Sequence, residues 1–312
     1  MALGHLLAPL SPPPGWLEHL GLGCAPIGDL FSAVTDDVAH ATVHSALDQG
    51  IRFFDTAPHY GAGTSEARLA ESLSSVARDS VVIASKVGRR IVDAAGDNVP
   101  PGGVGARTVG DLSRDHVLRS VESSLVRLGT DRIDVLYLHD PEDVDAALKH
   151  AIPELVRLRD EGVVRAIGVG MNETAALARF VTESSVDVVM VAGRLTLLDR
   201  SATTELLPAA ESTGVDVVAA GVFNSGVLAD PADGAKYDYR PADGVVLARA
   251  RVARDVAARF DVDLAAAAVQ FPRRWGAVSG VVVGARSPLE VAAFVAGAIA
   301  PIPQLLWEHW DA

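Results

Sequence analysis

The chain is poor in cysteine: Cys24 is the only one in 312 residues, so no internal disulfide can form. It is poor in positive charge as well, with 27 Lys and Arg against 40 Asp and Glu and a formal net charge of −13. A phosphate-backbone partner needs a basic face, so this balance argues against nucleic acid. It leaves room for an anionic cofactor, which needs only a local patch of donors. Long apolar runs are missing too. Val291–Ala300 is far too short to cross a bilayer. Met1 to Pro14 lacks a basic start and ends in three consecutive prolines, a poor signal peptide. The expectation is a soluble, cytoplasmic protein with no membrane partner. No Gly/Ser linker or composition break divides the chain, so one domain over 1–312 is expected, with 1–18 as an N-terminal extension. Two familiar fingerprints are incomplete. Gly21-Leu22-Gly23 continues as Cys24-Ala25-Pro26, without the third glycine of a dinucleotide loop, and reads as a tight turn at a strand's end. His40 and His44 are four apart on a predicted helix, but no glutamate follows His40, so they read as solvated histidines.

What is present is alternation. Hydrophobic residues make up 49% of the chain, enough for a large core. Short β-branched segments read as strands at Leu20–Cys24, Ile51–Asp55, Val81–Lys86, Ile133–His139, Val163–Gly168, Val186–Val191, Val215–Ala220 and Val278–Val283. Helix-period segments lie between and after them at Asp36–Gln49, Ser65–Val76, Arg114–Leu128, Val144–Glu161, Glu173–Glu183, Ala202–Thr213, Leu264–Arg274 and Pro288–Ala298, with an additional helix at Val245–Arg259. Eight strands each followed by a helix is the count for a closed (β/α)8 barrel, and near-continuous runs such as Val81–Ala84 suit parallel strands covered on both faces. An open doubly wound sheet is the alternative. The polar stretches Arg89–Asp111 and Ala229–Asp243 read as long loops framing a site.

In a barrel, chemistry gathers at the carboxyl ends of the strands. Three predicted strands end in ionisable residues, Asp55, Lys86 and His139, and Tyr60 follows Asp55 by five residues. Each alone has a bland explanation: a snorkelling lysine, a core histidine, a capping aspartate. Together they fall at one rim. A buried lysine beside an aspartate stays charged, and that cation is expected to lower a neighbouring phenol from its ordinary ~10. A histidine opposite can orient a substrate oxygen. The set suits proton transfer in alcohol/carbonyl interconversion.

Asp55-Thr56-Ala57-Pro58-His59-Tyr60-Gly61, then Ser65-Glu66, Ser85-Lys86-Val87-Gly88-Arg89 and Asp134-Val135-Leu136-Tyr137-Leu138-His139 resemble the aldo-keto reductase superfamily, from about Leu20 to Trp307. The resemblance implies a (β/α)8 TIM barrel that binds a nicotinamide cofactor without a Rossmann domain. It also implies a tetrad of Asp55, Tyr60, Lys86 and His139, with Tyr60 as general acid/base. Leu138-His139-Asp140-Pro141-Glu142, Gly168–Asn172, Ala192-Gly193-Arg194, Val283–Pro288 and Ile302–Trp307 are similar to the branch of D-threo-aldose (L-fucose) 1-dehydrogenases, L-galactose dehydrogenases and pyridoxal 4-dehydrogenases. That branch implies oxidation of a sugar-like alcohol or hemiacetal as the small-molecule substrate. Reduction of aldehydes with NADPH is the rival, and a cofactor-binding regulatory subunit a more distant one.

Carried over by resemblance, Asn172 would hold the nicotinamide amide. The loop with Gly221, Phe223, Asn224, Ser225, Gly226 and Leu228 would wrap the pyrophosphate, with Asn224 and Ser225 as side-chain donors. Gly284, Ala285, Arg286, Ser287 and Glu290 would hold the adenosine end at a helix N-terminus. Two departures stand out. Leu195 follows Ala192-Gly193-Arg194 where many members place a tyrosine that stacks on the nicotinamide; an apolar leucine could still cover that ring. Gly284 and Glu290 stand where NADP-preferring members often carry a lysine and an arginine. The cofactor is therefore NAD or NADP, with the carboxylate of Glu290 inclining the choice to NAD.

Overall fold

The computed structural model describes residues 19–30, 32–93, 95 and 106–311. The expected N-terminal extension 1–18 and much of the 89–111 stretch lie outside these residues. Eight parallel strands close into a barrel: β1 Leu20–Gly23, β2 Phe53–Asp55, β3 Val82–Val87, β4 Ile133–His139, β5 Val164–Met171, β6 Val188–Ala192, β7 Asp216–Ala220 and β8 Val278–Gly284. Each pairs with its sequence neighbours, and β1 seals the ring against β8 through Leu20–Gly23 opposite Val281–Gly284. The open-sheet alternative is thereby excluded.

Because strand side chains alternate in direction, the barrel has two cores. Outward residues such as Leu22, Phe54, Ile83, Leu136 and Val189 pack against the surrounding helices. Inward residues form a separate plug of Phe53, Val82, Ala84, Val135, Tyr137 and their neighbours. Gly21 belongs inside this interior and is no turn residue, contrary to expectation: a Cβ there would meet the Phe53 ring at 2.5 Å.

Helices begin where caps place them. Thr35, Ser113, Asp243 and Ser287 each accept a hydrogen bond from a backbone N–H in the first turn. The helix expected over Val144–Glu161 is broken into a turn at Val144–Ala146, a π-turn at Ala147–Ala151 and a helix at Ile152–Asp160. Pro153 lacks the N–H that would continue the regular ladder, and the wider turn absorbs the loss. Pro272 has a similar effect, ending the helix Leu264–Gln270 in a 3-10 turn at Phe271–Arg274. Both stretches expected to be loops carry antiparallel hairpins: Arg89–Val92 with Arg107–Gly110 after β3, and Lys236–Tyr237 with Arg240–Pro241 after β7. Among the described residues no single helix is long and apolar enough to cross a membrane.

Candidate active site

Strand alternation builds the site. Phe53, Ala84 and Tyr137 point into the barrel, so Asp55, Lys86 and His139, two residues further on, point inward one layer higher. Register brings them together: Asp55 pairs with Ala84, and Lys86 with Tyr137. The Lys86 ammonium donates to Asp55 Oδ1 at 2.8 Å, Asp55 Oδ2 at 2.7 Å and the Thr56 carbonyl at 2.9 Å. Both side chains are almost fully buried.

Tyr60 comes from the turn after β2. That turn is held by Thr56 Oγ1 against Ser65 Oγ at 2.8 Å, and by Ser65 Oγ donating to the Cys24 carbonyl at 2.8 Å. Gly61 has φ +63°, and a Cβ there would press on the Gly28 carbonyl oxygen at 2.5 Å, so the turn needs glycine. The Tyr60 ring lies 4.8 Å from the Lys86 ammonium and meets the His139 ring edge-on, with centroids 5.6 Å apart. Four stretches therefore meet at one mouth.

The electrostatics correct one expectation. The Tyr60 phenol lies well above its usual value, not below it: burial raises it, and the charges of Asp55, Tyr239 and Asp140 add to the effect. The three Lys86 hydrogen bonds run to Asp55 and Thr56 and none to the phenol. Burial, followed by the charge of Lys86, holds His139 well below the usual imidazole range, so it is neutral. Its Nδ1 is buried without a partner and its Nε2 lies 3.6 Å from Asp140 Oδ2, beyond hydrogen-bond distance. A neutral imidazole with unspent hydrogen-bonding capacity suits a substrate oxygen.

The expected cofactor residues divide. Asn172 is exposed directly after β5. The turn at Gly221, Asn224, Ser225 and Gly226 has four positive φ angles within six residues, a tight fold-back of main chain suited to an anion. Asn224 is not a free donor there. It is buried, and its Nδ2 donates inward to the Gly193 carbonyl at 3.0 Å, bracing this turn on the end of β6. Ser225 Oγ accepts from the Tyr239 N–H at 3.0 Å. Phe223 is half-buried against the core, while Leu228 and Ala285 are buried within it, so only their main chain can face a ligand. Leu195 is likewise 1% exposed in the core and offers no face to a nicotinamide ring. At the start of the helix Pro288–Ile299, Ser287 Oγ accepts from Glu290 N, and the Glu290 carboxylate accepts from the Arg286 N–H at 2.9 Å and Nε at 3.1 Å. Gly284 sits at the exposed end of β8 beside Pro26. The Glu290 carboxylate thus occupies the N-terminus of this helix.

Three residues at the mouth escaped the sequence reading. His59 Nδ1 meets Thr108 Oγ1 of the first hairpin at 2.5 Å, and its ring packs edge-on against His139. Tyr239 occupies the tip of the second hairpin. A cleft of about 500 Å³ borders His59, Arg107 and Asp29, but Tyr60, Lys86 and His139 do not line it, so it lies beside the chemistry. His40 Nε2 lies 3.1 Å from the Glu71 carboxylate and His44 Nε2 meets the Ser72 carbonyl on a neighbouring helix, and no metal-binding cluster occurs among the described residues.

The family model described as the aldo/keto reductase family matches residues 19–312. The chain is 42% identical to a D-threo-aldose 1-dehydrogenase of Pseudomonas sp, over 93% of this chain and 92% of the other. It is 38% identical to a pyridoxal 4-dehydrogenase of Microbacterium luteolum, over 92% and 91%. An aldo-keto reductase of Bacillus halodurans solved in its holo form superposes with a TM-score of 0.78 at 26% identity, over 94% of this chain and 91% of that one. With a closed parallel barrel and a lysine–aspartate pair buried beside a tyrosine at its mouth, the chain belongs to the aldo/keto reductase family.

Proposed function

We propose that this protein is a nicotinamide-dependent dehydrogenase that oxidises a sugar-like alcohol or hemiacetal, with Tyr60 exchanging the proton. The observation that carries the reading is the meeting of Tyr60, Lys86 and His139 at one mouth, with Asp55 behind Lys86. The relatives named for aldose and pyridoxal oxidation support the substrate class. The cofactor, when bound, takes or gives the hydride. Asn172, the turn Gly221–Leu228 and the segment Gly284–Glu290 would hold it, with Gly221, Phe223, Ser225, Gly226, Leu228, Ala285 and Arg286 presenting main chain or polar groups.

In oxidation, Tyr60 as phenolate takes the hydroxyl proton while His139 holds the oxygen by a hydrogen bond. Lys86, fixed by Asp55 and Thr56, places its charge against the Tyr60 ring and favours the phenolate. In reduction the phenol donates. Burial raises the Tyr60 phenol above its usual value, which suits this second direction near neutral pH. NAD is the preferred cofactor, because Glu290 would repel a 2′-phosphate. The protein works in the cytoplasm on small molecules, with neither nucleic acid nor membrane as partner, and its 312 residues act as one domain.

The test is a panel of aldoses, pyridoxal and short aldehydes, run with NAD, NADP and their reduced forms. Highest kcat/KM for NAD-linked oxidation of an aldose supports the reading. Turnover confined to NADPH-linked reduction of aldehydes overturns it in favour of the reductase, and tight cofactor binding without turnover would leave a regulatory subunit.

A further inference from the structure

The hairpin after β7 turns through two residues, Asp238 and Tyr239, with φ of +47° and +65°. Two successive left-handed residues form the mirror-image turn that closes tight hairpins, and its second position ordinarily holds glycine. A tyrosine there is held in a conformation L side chains avoid, and such strain persists only where surrounding contacts impose it. They do so on both sides. The Asp238 carboxylate accepts from Arg194 Nη1 at 3.1 Å and Nη2 at 2.8 Å, tying the turn to the loop after β6. The Tyr239 N–H donates to Ser225 Oγ, tying it to the loop after β7.

The backbone of Tyr239 is thus clamped while its side chain remains 63% exposed. The loops after β6 and β7 that clamp this turn leave the parallel barrel at the same end as Asp55, Lys86 and His139, so Tyr239 stands at the rim of that opening. Leu195, on the loop after β6, is buried in the core, whereas the Tyr239 ring is exposed at this rim.

We propose that Tyr239 is a specificity-determining residue whose ring stacks on the C–H face of a cyclic sugar while the ring's hydroxyls meet the polar groups around His139. An aromatic face is electron-rich and attracts the slightly positive hydrogens lined along one side of a pyranose. An open-chain three-carbon substrate has no such face and gains little. The proposal rests on the reading of the protein as a sugar dehydrogenase.

The experiment compares kcat/KM for a pyranose aldose and for glyceraldehyde in wild type, Tyr239→Gly and Tyr239→Phe, with the NADH dissociation constant measured in each. Glycine removes the ring and relieves the backbone, so folding is not at risk. Tyr239→Gly is expected to lower the pyranose/glyceraldehyde ratio about tenfold, mainly through KM, the scale of one aromatic contact. Tyr239→Phe keeps the ratio. Equal losses on both substrates in Tyr239→Gly, no loss on either, or NADH binding weakened as much as the pyranose reaction would each overturn the platform and leave the sugar dehydrogenase standing. A wild type that turns over glyceraldehyde but no pyranose removes the substrate reading, and the platform falls with it.

Discussion

The Lys86 ammonium stands 4.8 Å from the centre of the Tyr60 ring, over its face, while its hydrogen bonds run to Asp55 and Thr56. Lys86 therefore acts on Tyr60 through its field and not through a bond to the hydroxyl. Burial, then the negative charge of Asp55, holds the phenol above its usual value, so it is protonated at neutral pH. Oxidation needs the phenolate, whose fraction grows tenfold per pH unit below the phenol's pKa. The kcat/KM for oxidation is accordingly expected to climb with unit slope on a log scale from neutral pH into the alkaline range. Reduction needs the phenol and should stay flat over the same interval. Steady-state profiles in both directions check this, and an oxidative plateau reached below the usual phenol range would contradict it.

Removing one partner of the buried pair should harm the fold as well as the reaction. Lys86→Met leaves Asp55 as an uncompensated carboxylate, and Asp55→Leu strands the ammonium. Each is expected to cost about 3–5 kcal/mol in denaturant unfolding. The double variant, with both groups apolar, should recover most of that stability while remaining inactive. A double variant no more stable than either single one would contradict this origin of the loss.

Acid sensitivity follows from the histidines at the mouth. Burial, then neighbouring positive charge, lowers His139 and His59 below their ordinary range, so the unfolded chain binds their protons more readily. Stability from these groups is intact above the unfolded histidine value of about 6.5 and falls as pH drops through it. Urea midpoints measured from pH 8 to 5 should decline, and His139→Asn should decline less steeply. Identical slopes would contradict the assignment.

Cofactor choice tests the adenosine end. Glu290 accepts from Arg286 across the helix N-terminus, where the proposed adenosine site would bring a 2′-phosphate. Glu290→Arg is expected to shift the NADP/NAD ratio of kcat/KM toward NADP by about tenfold, the scale of removing one repulsive charge and adding an attractive one. An unchanged ratio would misplace the residue.

The barrel and three of its rim residues were legible in the sequence for one reason: β-branched runs mark strands, and Asp55, Lys86 and His139 each close such a run. Their convergence follows from alternation and register alone. The two hairpins were hidden because they are short and polar, and the turn Asp238-Tyr239 lacks the glycine that would announce it. The inward rotation of Asn224 depends on a carbonyl 31 residues away, and no local pattern encodes that contact. The sign of the Tyr60 shift is not legible in the sequence because it depends on how deeply the phenol is buried and on the Asp55 charge brought near it, both properties of the assembled site.

Replacing Tyr60 by phenylalanine removes one oxygen and leaves the ring beside Lys86 and His139. The expected outcome is a fall of about a hundredfold to ten-thousandfold in kcat in both directions, the usual range for a positioned acid/base, with the NADH dissociation constant nearly unchanged. Turnover near the wild-type rate in that variant would show that the proton travels through another group.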